Sequence, residues 1–127
     1  MDRQTWAWVF AVVLLAVGAL GFVPGITMDG HLLGIFEVDA MHNIVHIVTG
    51  LLALGAALTS AANARLFFKV FGVVYALVAV IGLVQGDTVL GIIVANMADH
   101  VLHIAIAVVA LYLGFAGARE GAASMAL

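Results

Sequence analysis

The sequence predicts an all-α fold: a four-transmembrane-helix bundle made of two tandem helical-hairpin repeats with parallel pseudo-two-fold symmetry. Three observations predict it. The 127 residues are 66% hydrophobic and 9% charged, whereas a soluble domain carries about 25% charged residues and can clothe itself in them. Four long apolar runs divide the chain. The first half of the chain also returns, residue for residue in places, in the second half.

The apolar runs cover residues 6–23, 41–61, 66–84 and 98–115. Each approaches the ~20 residues that cross a ~30 Å hydrocarbon core as a helix. Barrel strands would alternate apolar and polar, but these runs are apolar on every face. A helix also satisfies its own backbone hydrogen bonds where no water is present. The basic residue Arg3 ahead of the first run gives it the look of a signal peptide. Its recurrence inside the chain argues against that reading.

The repeat is explicit. VFAVVLLAVGALGFVPG (residues 9–25) matches VFGVVYALVAVIGLVQG (residues 70–86) at eight of 17 positions, among them Phe10/Phe71, Gly21/Gly82 and Gly25/Gly86. After a shift of four residues, LLGIFEVDAMHNIVHI (32–47) lies against VLGIIVANMADHVLHI (89–104), with His46 matched by His103. The chain is thus one transmembrane domain, 1–127, with repeat 1 over about 6–61 and repeat 2 over about 66–117. The four extra residues of the first copy fall between its two helices. The apolar segments 30–38 and 88–95 are too short to span and are expected to fold back over the bundle.

Charge sets the orientation. Arg3, Arg65, Lys69 and Arg119 lie at the N-terminus, the central loop and the C-terminus, while Asp29, Glu37, Asp39, Asp87 and Asp99 lie at the hairpin tips. The positive-inside rule then places both termini and the central loop in the cytoplasm. No basic run suits nucleic acid. The chain has no Cys, which removes disulfides, thiolate metal sites and a cysteine nucleophile. No phosphate-binding loop and no placed Ser nucleophile point to an enzyme.

The residues that carry chemistry are histidines. His42 and His46 share one helix face, four residues apart, and Asp99 and His103 repeat that spacing. Ionisable groups within membrane helices are costly and normally face partners inside the bundle. A two-fold axis sets His46 across from His103 and His42 across from Asp99. His42, His46, Asp99 and His103, with His100 beside them, form a candidate metal site suited to Zn²⁺, Fe or Cu. In a second version His46 and His103 are the axial ligands of haem b. The plainer reading is structural: Asp39, Asn96 and Asp99 start helices, and neutral imidazoles pin the overlying segments to the bundle. His31 belongs to a solvated loop, and Tyr75 and Tyr112 read as packing residues. Gly21/Gly25 and Gly82/Gly86 suit either close helix contact or helix termination. Gly50, Gly55, Gly72 and Gly114 read as sites of close packing.

The run LLGIFEVDAMHNIVHIVTGLLAL, continued by ARLFFKVFGVVYALVAVIG and NMADHVLH, resembles an uncharacterised bacterial membrane family, domain of unknown function 4383. Its pattern there is like LLGLFxVxxxHNxVHxxxG. The resemblance runs from about Phe10 to Gly114 and marks His42, Asn43, His46, Asp99 and His103; His100 stands where the family tends to show Asn. It implies a four-helix fold in a bacterial inner (plasma) membrane, and no activity.

Three functions follow as expectations. The first is a non-enzymatic accessory or structural membrane component with a buried His/Asp cluster. The alternative is a metal- or haem-binding membrane protein, with a redox role open to it, using His46 and His103. The third is a small transporter or channel subunit, disfavoured because the inner halves of the runs offer no continuous polar path. The bilayer is the one certain partner, and so small a bundle leaves room for a homo-oligomer or for docking on a larger membrane complex.

Overall fold

A computed structural model describes residues 2–116. Arg119, the C-terminal member of the basic set, lies outside them. Four helices form the bundle: α1 (Arg3–Leu20), α2 (Ala40–Thr59), α3 (Ala61–Gln85) and α4 (Met97–Leu111). A π-helical turn, Tyr112–Ala116, carries α4 onward. All four, α4 with its continuation, are long and apolar enough to cross a membrane. At 1.5 Å per residue even the shortest reaches roughly 27 Å.

The helices begin where short polar side chains can cap them. Asp2 Oδ1 accepts from the Thr5 N–H at 2.8 Å, which holds that carboxyl below its usual range. Asp39 Oδ1 accepts from the His42 N–H at 2.8 Å. At α4 the cap is reciprocal: Asn96 Oδ1 accepts from the Asp99 N–H at 3.0 Å, and Asp99 Oδ2 accepts from the Asn96 N–H at 2.8 Å, a capping box. Asp39, Asn96 and Asp99 thus start helices as the sequence suggests.

One boundary differs. The sequence places the third helix at residue 66 after a central loop, yet α3 begins at Ala61 and Ser60 alone separates it from α2. Ser60 closes one helix and caps the next, its Oγ accepting from the Asn63 N–H at 3.0 Å. The alanines that follow are the best helix formers available. Arg65 and Lys69 therefore ride on the opening turns of α3.

Between α1 and α2 lie three two-residue strands, β1 (Thr27–Met28), β2 (His31–Leu32) and β3 (Phe36–Glu37), antiparallel in that order. Between α3 and α4 lie two, β4 (Thr88–Val89) and β5 (Ile93–Val94). The four extra residues of the first copy account for the additional strand. Its turn, Asp29–Gly30, has positive φ at both residues, the Asp-Gly signature of a tight hairpin. Leu33–Gly34 and Leu90–Gly91 turn the remaining pairs with φ of 55° and 72°, and 56° and 71°. Leu32, Val38, Val89 and Ala95 are buried, so both hairpins fold down as lids on one end of the bundle.

Inside, small residues and aromatics pack. Ala7, Ala11, Leu14 and Gly18 form the buried stripe of α1. A Cβ on Gly18 would stand 2.6 Å from Ile47, so α1 and α2 meet nearly backbone to backbone. Phe10 packs edge-on against Phe68 and Phe71 at centroid distances of 5.0 and 5.8 Å, and Phe71 against Tyr75 at 4.2 Å. Phe10 and Phe71, matched by the internal repeat, are therefore in contact. The outward faces are apolar, with Leu52, Leu77 and Val108 each about 60% exposed, the surface that lipid covers.

The glycine pairs divide cleanly. A Cβ on Gly21 would strike the Asn43 side-chain amide, and one on Gly82 would stand 2.6 Å from the His100 ring. Those two glycines serve close contact. Gly25 and Gly86 have φ near +90° and open space around them, so they serve the chain reversal. Gly50, Gly72 and Gly114 are tightly packed as expected, but Gly55 meets nothing within 4 Å.

Candidate functional site

Beneath the lids, α2 and α4 bring six polar side chains into the bundle. His42, Asn43, His46, Asp99, His100 and His103 are each no more than 5% exposed. Burying a polar group without a partner costs roughly 1–3 kcal/mol, so each one requires an account.

Two imidazoles fasten the lids. His42 Nδ1 lies 2.7 Å from the Val94 carbonyl. A carbonyl only accepts, so Nδ1 carries the proton and Nε2 keeps its lone pair. His100 Nε2 lies 2.5 Å from the Gly86 carbonyl and carries its proton there. The His100 Nδ1 edge rests on Gly82. Asn43 rests on Gly21 in the matching place. The fastening crosses between halves: His42 of the first holds β5 of the second, while Asn96 Nδ2 of the second donates to the Ile35 carbonyl of the first at 2.9 Å.

His46 and His103 are different. Both ring nitrogens of His103 are buried with no hydrogen-bond partner among the described residues, as are His46 Nδ1 and His42 Nε2. The three rings face one another, His42–His46 at 4.6 Å between centroids, His42–His103 at 5.7 Å and His46–His103 at 6.3 Å. One nitrogen from each can be chosen so that all three lie within 4.8 Å of one another. Tetrahedral Zn–N bonds of about 2.0–2.1 Å would set such nitrogens roughly 3.4 Å apart, so the rings would draw together around an ion. Asp99 stands outside this triad of ligand atoms, with one carboxylate oxygen committed to the cap of α4.

The sequence gathers these histidines through the repeat, but it leaves out their surroundings. Tyr75, read there as a packing residue, lies with its ring 5.3 Å from His103 and lines the same small cavity as Thr49. Its place on α3 follows from the buried series Phe68, Phe71, Tyr75, Ala79 and Gly82, a helical stripe that could have signalled it. The Val94 and Gly86 carbonyls carry no side-chain signal at all. His31 sits apart in the first lid, 3.5 Å from the Glu37 carboxylate and part-exposed, where an ion pair contributes little.

These features define an integral membrane four-helix bundle with a buried, partly unpartnered imidazole cluster under two β-hairpin lids. The chain belongs to the family described as Domain of unknown function (DUF4383), which matches residues 4–116. Comparison with curated proteins and with solved structures gives no match.

Proposed function

We propose that the protein is a metal-binding membrane protein in which His42, His46 and His103 hold one first-row transition ion, Zn²⁺ or copper, beneath the lids. The observation that carries this is His103, whose two nitrogens are buried between two other imidazoles and meet no partner among the described residues. A purely structural role accounts for His42 and His100, which fasten lid carbonyls, but leaves His46 and His103 unexplained. The His42 arrangement has the form common to metal-binding imidazoles: one nitrogen donates to a backbone carbonyl and so presents the other to the ion. Asp99 adds a carboxylate near His42 that offsets part of the ion's charge, and His100 supports the site by holding the lid. Haem b between His46 and His103 is the poorer fit. The cavity beside the rings is about 60 Å³, whereas cofactor sites run to roughly 300–1,000 Å³.

Protein purified without chelator is expected to carry close to one ion per chain by elemental analysis, with no Soret band. His46→Ala and His103→Ala should each weaken binding by at least about 100-fold, beyond the 10–100-fold that loss of a supporting group costs. Protons compete for imidazole nitrogens, so retention should fall as the pH is lowered. A folded wild-type protein that takes up no Zn²⁺ or copper would sink the proposal.

We further infer that the lids face the outside of a bacterial inner membrane and both termini the cytoplasm. Arg3, Arg65 and Lys69 ride near the end opposite the lids, as the positive-inside rule requires of the cytoplasmic face. Because the chain lacks Cys, a single Gly34→Cys supplies a clean reporter. A membrane-impermeant maleimide added to intact spheroplasts should label it, while Asn63→Cys should react only after lysis. The reverse pattern would invert the topology.

A further inference from the structure

The cavity beside the imidazoles shares a wall with a groove that faces the bilayer. It is about 60 Å³ and is bounded by the three histidines and by Val45, Val78 and Ile93. Thr49, Phe71 and Val74 line it as well, and the same three residues line a groove of about 560 Å³ between α2 and α3. That groove is walled by Leu51, Leu52, Leu66, Phe67 and Val70. It faces outward from the bundle, where lipid lies. Thr49, Phe71 and Val74 are thus the one layer common to the lipid-facing groove and the imidazole cavity.

Size and polarity decide what the cavity admits. The inner cavity, about 60 Å³, is far below the roughly 300–1,000 Å³ of ordinary ligand pockets, so it suits only a small molecule. Away from the histidines its walls are mostly valine, isoleucine and phenylalanine, which a neutral guest crosses at less cost in lost hydration than an anion does. Three protein ligands on a tetrahedral ion also leave a fourth position for an exogenous one.

We propose that the ion is copper and that, as Cu(I), its fourth position takes a small neutral diatomic molecule of the dioxygen, nitric oxide and carbon monoxide class, delivered from the bilayer along the α2–α3 groove. This rests on the metal-binding reading above. Val74 is the gate: it lines both spaces and is half exposed, so enlarging it fills the layer between groove and cavity.

Carbon monoxide is the probe, since it binds Cu(I) as a neutral ligand with no electron transfer. Protein loaded with Cu(I) in lipid nanodiscs is expected to bind one CO per copper, seen as a single C–O stretch in the infrared. After flash photolysis, Val74→Trp should rebind CO at least tenfold more slowly than wild type, and Val74→Leu should fall between them. Copper content of each variant is measured in parallel. Copper retained without CO binding, or CO rebinding equal in all three proteins, overturns this inference and leaves the metal site standing. Rebinding slowed by Ile93→Trp under the lid and not by Val74→Trp overturns it by placing access on the aqueous side. Faster rebinding in short-chain detergent than in nanodiscs overturns it by showing the groove plugged with an acyl chain. Failure of the wild-type protein to retain copper overturns this inference, and failure to take up Zn²⁺ as well removes the metal-binding reading with it.

Discussion

His103→Leu should abolish metal binding while leaving the metal-free protein at least as stable as wild type. The two effects separate because His103 contributes two buried nitrogens with no partner among the described residues. Each such group costs about 1–3 kcal/mol of desolvation that nothing returns, and an apolar residue of similar size removes that cost. Leucine keeps much of the ring's volume against Tyr75 and His46. Unfolding of the chelator-treated proteins in matched detergent measures the stability arm, and elemental analysis measures the metal arm. A metal-free His103→Leu protein destabilised by more than about 2 kcal/mol would show that the imidazole makes a strong bond within the fold, and the proposed site would lose its main support. The companion substitution His42→Leu should behave oppositely. It removes the partner of the Val94 carbonyl and should destabilise by about 1–3 kcal/mol even without metal.

The second large effect concerns two glycines that carry no chemistry. Gly21→Ala and Gly82→Ala should each destabilise by roughly 1–3 kcal/mol, the usual range for forcing a methyl into a packed site. The backbone at Gly21 is ordinary, with φ of −62°, so the obstacle is the Asn43 amide that a methyl would strike. At Gly82 the methyl meets the His100 ring and would pry it from the Gly86 carbonyl, loosening the second lid as well. Gly55→Ala is the control. Nothing lies within 4 Å of the new methyl, and removing a mid-helix glycine should gain about 0.8–1.0 kcal/mol. Equal losses at all three positions would mean that the tight contacts at Gly21 and Gly82 do not bear on stability.

What the sequence discloses depends on the physics involved. The four helices were legible because exclusion of water from lipid demands long apolar runs, and the starts of the second and fourth because Asp39 and Asn96 cap them. The meeting of His46 with His103, 6.3 Å apart between ring centroids, was legible only through the sequence repeat that pairs them. The lids were legible as segments that fold back but not as sheets. Strands of two residues are too short for any alternation to show, and their turns rest on Leu33 and Leu90 in a conformation that leucine seldom adopts. The missing central loop was obscured because Arg65 and Lys69 look like loop residues, although at a helix terminus they can extend into the headgroup layer. Gly55 was assigned to close packing by analogy with its neighbours, since composition alone does not reveal which face of a helix has a partner. Asp99 had two available roles, ligand and cap, and the short distance to the Asn96 N–H shows the second in use.

The exchange of fastenings between halves bears on how the chain is made. Ile35 waits for Asn96, which lies 61 residues further on, and His42 waits for Val94, 52 residues further on. During synthesis, at about 5–20 residues per second, the first hairpin enters the bilayer several seconds before either fastening can form. Completion of the roof over the histidines thus waits for the second hairpin, and an ion that meets His103 before Val94 docks on His42 would do so in an open vestibule.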